Sequence, residues 1–143
     1  MSMSNTAKSA LCPPEVTCAV ARGGQVLYAA SGNGVRPLLT CYRQRPQDLA
    51  GAEVADLVVG KAAAILLVLG GAAEVYGQVM SRPAIDYLEA HGILHSCGEQ
   101  VPLILNRSGD GMCPLEASVV DIEDPQQGYA ALLARIEQLM KGQ

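Results

Sequence analysis

An α/β fold, a sheet with helices packed on it, is predicted by three features of the sequence. Half of the 143 residues are hydrophobic although Phe and Trp are absent. A full core must therefore be built from Leu, Val, Ile and Ala, which suits helices lying close on a sheet. Near the start, two β-prone runs flank a Gly-Gly pair, the mark of a hairpin. Further on, strand-like runs alternate with stretches of helical period, the order of an α/β domain.

Residues 1–16, with Ser2, Ser4, Asn5, Ser9, Pro13 and Pro14, have no hydrophobic face and read as a flexible tail outside the fold, leaving 17–143 as a single domain. Thr17 to Ala21 and Gln25 to Ala30 are the hairpin strands. Pro37 opens a short helix, Leu38 to Arg43, stopped before Pro46. Gln47 to Asp56 is polar and weakly patterned. Leu57 to Leu69 is then apolar on every side, as a buried helix would be, with a small first turn at Ala62-Ala63-Ala64 and a stop at Gly70-Gly71. Glu74 to Met80 reads as a strand, turned by Ser81-Arg82-Pro83 into a helix over Ala84 to His91. Ile93 to Ser96 and Val101 to Leu105 are expected to pair antiparallel about Cys97-Gly98-Glu99-Gln100, since so short a connection leaves no room for a crossover. Pro114 to Val120 forms a helix, Asp121 to Gln127 a loop, and Ala130 to Lys141 a terminal helix with one apolar stripe.

Charge and composition exclude several classes of function. The formal charge is -4, and the ten Lys and Arg are scattered without a basic stripe or interleaved aromatics, so nucleic acid is not an expected partner. No apolar run approaches the ~20 residues of a membrane span, and the first residues lack a signal-peptide plan. Five cysteines without a C-x-x-C pair fit reduced thiols better than a disulfide framework. A cytoplasmic protein without a membrane partner is expected.

The densest chemistry lies in Asn106-Arg107-Ser108-Gly109-Asp110-Gly111-Met112-Cys113-Pro114-Leu115-Glu116, where an apolar run empties into a glycine-punctuated loop that starts a helix. Gly109 and Gly111 permit backbone conformations closed to other residues, and Pro114 suits the first helical position. Cys113 and Glu116 then fall at N-cap and N3, a capping box with sulfur in place of a hydroxyl. Asn106, Arg107 and Asp110 either offer donors to a ligand or fix the turn through Asx-type hydrogen bonds. Arg36, after Ser31-Gly32-Asn33-Gly34, is a weaker candidate on a second loop.

Together with Gly60-Lys61-Ala62-Ala63-Ala64 and Glu74-Val75-Tyr76, the Asn106-Arg107-x-Gly109-x-Gly111-Met112-Cys113-Pro114-x-Glu116 block resembles a small family of uncharacterised prokaryotic proteins. That family is a domain of unknown function whose fold is similar to that of cytidine deaminases. The resemblance covers about residues 17 to 122. It implies a cytidine-deaminase-like mixed five-stranded sheet flanked by helices, and self-association without a fixed number of copies; it implies no established activity.

Zinc deaminases need a His or Cys, then x-Glu, at the start of one helix and Pro-Cys-x-x-Cys at the start of the next, because three ligands hold the metal while the Glu moves protons. On that plan Gly60-Lys61-Ala62-Ala63 takes the first position and Ser81-Arg82-Pro83-Ala84 the second. None of these residues suits zinc, so no metal and no cofactor are expected there. His91, His95, Cys97 and Cys113 supply four other ligating groups, but their spacing fits no usual structural zinc pattern.

What the altered positions offer instead is positive charge. Two helix starts meeting at the former metal position would present free N–H groups, with Lys61 and Arg82 beside them, and a small anionic or nucleotide-like molecule is the expected ligand. Ser81, Asn106, Arg107, Gly109, Gly111 and Met112 would complete the binding site; otherwise Lys61 and Arg82 face solvent and the alanine turn only packs. A rival is a Cys113-dependent enzyme, its thiolate favoured by the helix start but opposed by Glu116, with Lys61 and Glu116 as further catalytic candidates. A third is a non-catalytic structural or interaction subunit.

Overall fold

The computed structural model describes residues 5–142. β1 (Cys18–Arg22) and β2 (Gln25–Ala30) form the expected hairpin, with Gly23 and Gly24 both at positive φ, which the tight turn demands. The hairpin is one end of a five-stranded sheet of order β2-β1-β3-β4-β5. β3 (Glu53–Val59) runs antiparallel to β1, while β4 (Glu74–Ser81) and β5 (Leu94–Val101) run parallel to β3. A mixed five-stranded sheet flanked by helices, opened by a hairpin, is thus the fold of the described residues.

Two of its strands differ from those expected. The run Leu57 to Leu69 is not one helix: it divides at Gly60 into the end of β3 and α4 (Lys61–Gly70). Val54, Val58 and Val59 favour a strand, and the polar-looking start of β3 hides it, because Glu53 and Asp56 are buried. Likewise Ile93 to Leu105 is not an antiparallel pair. β5 continues straight through Cys97 to Gln100 and pairs parallel with β4, with α5 (Arg82–Ala90) as the crossover. Gly98 is there for close approach and not for a turn: a Cβ at that position would lie 2.9 Å from the Gln78 carbonyl oxygen.

The first sixteen residues are also corrected. Residues 1–4 of the expected tail lie outside the described residues, but Thr6–Ala10 form a helix, α1, against the sheet. Ala7 is buried among Ala19, Ala21 and Ala55, and its N–H donates to Glu53 Oε1 at 3.1 Å. Alanine side chains make no strong amphipathic signal, yet they let this short helix sit close on an equally small-residue patch.

The main core lies around α4, whose residues Lys61 to Leu67 are all buried. The sheet, α2 (Arg36–Gln44), α5 and α7 (Pro125–Lys141) surround it, as its all-round apolar sequence requires. Gly71 at φ 76° ends it, the stop expected at the double glycine. α3 (Pro46–Leu49) leads into β3, and α6 (Pro114–Val119) follows the 106–113 loop. α7 starts earlier than its apolar stripe suggests, because Pro125 takes its first turn and the Asp124 carboxylate accepts from the Gln127 N–H at 2.9 Å.

Candidate functional site

The start of α4 is held by a carboxylate from a distant part of the chain. Glu116, on α6, accepts from the Lys61 N–H through Oε1 at 2.7 Å and from the Ala62 N–H through Oε2 at 3.2 Å. Both oxygens therefore meet backbone donors that the helix cannot satisfy itself. Gly60 makes this approach feasible, since a Cβ there would stand 2.5 Å from the carboxylate carbon and from both oxygens. Burial raises the Glu116 pKa above the ordinary carboxylate range, and the two N–H bonds and the Lys61 charge only partly oppose it.

Lys61 sends its ammonium elsewhere. Nζ donates to the Val120 carbonyl at 3.1 Å and to Glu123 Oε2 at 3.0 Å, and it lies 5.5 Å from the centre of the Tyr87 ring. Its side chain is 6% exposed, whereas that of Glu123 is 82% exposed. Tyr87 fixes the Glu123 backbone by donating its hydroxyl to the Glu123 carbonyl at 2.8 Å. Burial, together with the nearby Glu123 and Asp124 charges, raises the Tyr87 phenol pKa.

The second helix start is capped locally. Ser81 Oγ accepts from the Ala84 N–H at 3.2 Å, and the half-exposed Arg82 pairs with Asp86 at 3.1 Å one turn along. The two helix starts of the expected anion position are not bare: Glu116 occupies one, Ser81 the other, and the two cations pair with different carboxylates. Lys61, Ser81, Met112 and Glu116 do meet, around a cavity of about 10 Å³, too small for more than a water molecule. A larger cleft of about 310 Å³ opens beside Lys61, Pro83, Asp86, Tyr87, Val120 and Glu123. Cys113 and Glu116 share a third cleft, of about 60 Å³, with Gly60 and Val58.

The 106–113 loop is fixed by its own hydrogen bonds. Asn106 Oδ1 accepts from the Gly109 and Asp110 N–H groups at 2.8 and 3.2 Å, and its amide donates to Asp110 Oδ1 at 2.9 Å. Gly109 has φ 75°, and Met112 bridges back to Leu105. Of the two roles open to Asn106 and Asp110, these bonds are the Asx-type turn; Arg107 and Arg36 are exposed. The Cys113–Glu116 capping box does not form. Cys113 is the N-cap of α6 without a side-chain bond, its N–H donates to Ile104 at 2.9 Å, and Glu116 serves α4. Sulfur is a weak acceptor, and the α4 start offers Glu116 two donors at once.

The sequence matches the profile of DUF1893, a domain of unknown function, over residues 6–136. This chain belongs to that family. The crystal structure of a DUF1893 family protein from Thermotoga maritima is similar to it, with 27% identity and a TM-score of 0.77 over 84% of this chain and 80% of that one. A diaminohydroxyphosphoribosylaminopyrimidine deaminase/5-amino-6-(5-phosphoribosylamino)uracil reductase from the same organism aligns with 76% of this chain and 35% of its own length. Its identity is 17% and its TM-score 0.47, a level that carries no inference for this chain. None of the curated proteins matches the sequence.

The other ligating residues of this DUF1893 chain are spread out. His91 stacks on Tyr87 with ring centres 4.5 Å apart, and His95 binds the Ile93 carbonyl at 3.1 Å and approaches Glu89 at 3.7 Å. Among the described residues no group of three or more His, Cys, Asp or Glu could hold a metal ion. No helix among them is long and apolar enough to cross a membrane.

Glu123 and Asp56 are the residues with chemistry that sequence reasoning passed over. Glu123 lies in an unpatterned loop and meets Lys61 across 62 positions. Asp56 is 4% exposed in β3; Oδ1 accepts from the Leu57 N–H at 2.8 Å, and Oδ2 has no hydrogen-bond partner among the described residues. Burial raises its pKa to about 7 against the opposing N–H groups of Leu57 and Val58. Cys18 pairs with Asp56 across the β1–β3 register, and burial first, then the Asp56 charge, push its thiol pKa well up.

Proposed function

We propose that this DUF1893 domain binds a small anionic or nucleotide-like molecule, with the Lys61 ammonium as anchor and Glu123 as the group that is displaced. One observation carries the reading: a buried ammonium is paired with a carboxylate that is almost fully in water. A buried cation needs a counter-charge, whereas an exposed carboxylate gains little from the pair because water solvates it equally well. A ligand carboxylate or phosphate entering the adjoining cleft takes the same place and adds contacts that Glu123 lacks. Asp86, on the cleft wall, is balanced by Arg82.

The test is thermal unfolding with added phosphate, a dicarboxylate or a nucleoside monophosphate, in wild type, Lys61→Met and Glu123→Gln. Wild type gains stability with at least one anion, and Lys61→Met loses that gain. Glu123→Gln, freed of its competitor, binds about tenfold more tightly, a difference of about 1.4 kcal/mol. Absence of any anion effect in both wild type and Glu123→Gln overturns the proposal. A Cys113-dependent enzyme is supported by the cleft that Cys113 and Glu116 share. Slow reaction of Cys113 with a thiol reagent at neutral pH retires that alternative, and a domain that passes neither test is left as a structural or interaction subunit.

A further inference from the structure

β5 is an outer strand and, among the described residues, pairs on one side only, with β4. Natural edge strands are usually kept single by a proline, a lysine, a bulge or shortness. β5 carries none of these: its eight residues, Leu94 to Val101, contain no Pro, Lys or Arg. Its register against β4 runs unshifted from Glu74 opposite Leu94 to Ser81 opposite Val101. β2, the opposite edge, differs, because its register with β1 shifts between Val20 and Ala21. Leu94, at the head of β5, is 61% exposed.

We propose that β5 pairs antiparallel with β5 of a second copy of this chain, about a two-fold axis at Cys97, so that two sheets become one. The strand's own side chains choose this occupant. Centring the axis on Cys97 sets His95 opposite the partner's Glu99 and, by symmetry, Glu99 opposite the partner's His95. Axes at Ser96 or Gly98 leave both unmatched. An imidazole directly across from a carboxylate is a cross-strand polar pair, whereas two carboxylates placed opposite each other oppose pairing. The helices also fit. α5 packs on both β4 and β5, and strands lie about 4.8 Å apart, so the two copies of α5 would be roughly 10 Å apart, the distance of packed helices.

Sedimentation of the full chain tests the pairing. Wild type is expected to be a dimer. His95→Glu faces the partner's Glu99 with like charge and raises the dissociation constant more than about tenfold; the exchange His95→Glu with Glu99→His restores the dimer. In a Cys12→Ser background, which removes the exposed thiol, oxidation with diamide links the chain into covalent dimers, and adding Cys97→Ser leaves it unlinked. Paired residues on the axis have Cα atoms about 4.5–5.5 Å apart, within disulfide reach. Because Glu89 lies 3.7 Å from His95, His95→Glu is first shown to be folded by circular dichroism; if it is not, the Cys97 cross-link decides alone. A monomeric wild type, a dimer that survives His95→Glu in folded protein, or cross-linking that persists in Cys97→Ser overturns the proposal.

Discussion

Glu116 and Asp56 are both carboxylates drawn out of water, and the backbone treats them differently. Each oxygen of Glu116 meets an N–H at the start of α4. Asp56 has Oδ1 on the Leu57 N–H and Oδ2 without a hydrogen bond, with the Val58 N–H nearby also favouring its charged form. Burial raises both pKa values, and for Asp56 it reaches about 7. The difference shows what a helix start contributes: two parallel donors, spaced for the two oxygens of one carboxylate, where a strand interior leaves one oxygen buried without a hydrogen bond. The anion expected at this helix start is therefore present, but it belongs to the chain itself.

The largest effect expected from this contrast is on pH dependence. A carboxylate whose folded pKa exceeds its unfolded value binds more protons when folded, so its stabilising contribution is complete below the unfolded pKa and is lost as pH rises through the folded one. For Asp56 that window runs from 3.8 to about 7, and the loss is on the order of 4 kcal/mol. Urea unfolding at pH 4 and pH 8 should show wild type losing that much more than Asp56→Asn. Equal losses would mean that Oδ2 is satisfied after all, and the contrast would collapse.

Glu116→Ala comes next. It leaves the Lys61 and Ala62 N–H groups unpaired and should cost about 3 kcal/mol in chemical denaturation, the range of hydrogen bonds to a charged group. A cost below about 1 kcal/mol would place Glu116 with surface caps. Smallest is Gly60→Ala, which keeps the carboxylate but pushes it off the helix start. A loss of about 2 kcal/mol is expected, the cost of overpacking, and combining it with Glu116→Ala should remove most of that loss, because the two residues act through one contact.

The contrast also explains what could be read from the residues in order. The Gly23-Gly24 hairpin, the Gly71 stop and the α5 helix after Ser81 were all legible, because each depends on neighbours a few positions away. Glu116 misleads for the same reason. Four residues containing Cys113 and Glu116 look like a local box, while the true partner of Glu116 lies 55 positions earlier, and such a separation leaves no spacing to recognise. β3 is hidden in the sequence because Glu53 and Asp56 look like solvent-facing residues although they are buried. Lys61 was singled out for its charge, and that charge does have a cleft beside it, but the direction of the side chain is set by Val120 and Glu123, which lie in no motif.

The close seat of α7 on α4, where a Cβ at Gly128 would lie 2.7 Å from Ile65 Cδ1, bears on how the protein is made. Domains generally fold as units during synthesis, so a domain waits for its last packing segment. α4 is greasy on its whole circumference, yet the segment that covers one flank of it is translated much later. Until then the nascent chain carries an uncovered oily rod, and the same late segment brings Glu123, the counter-charge of Lys61.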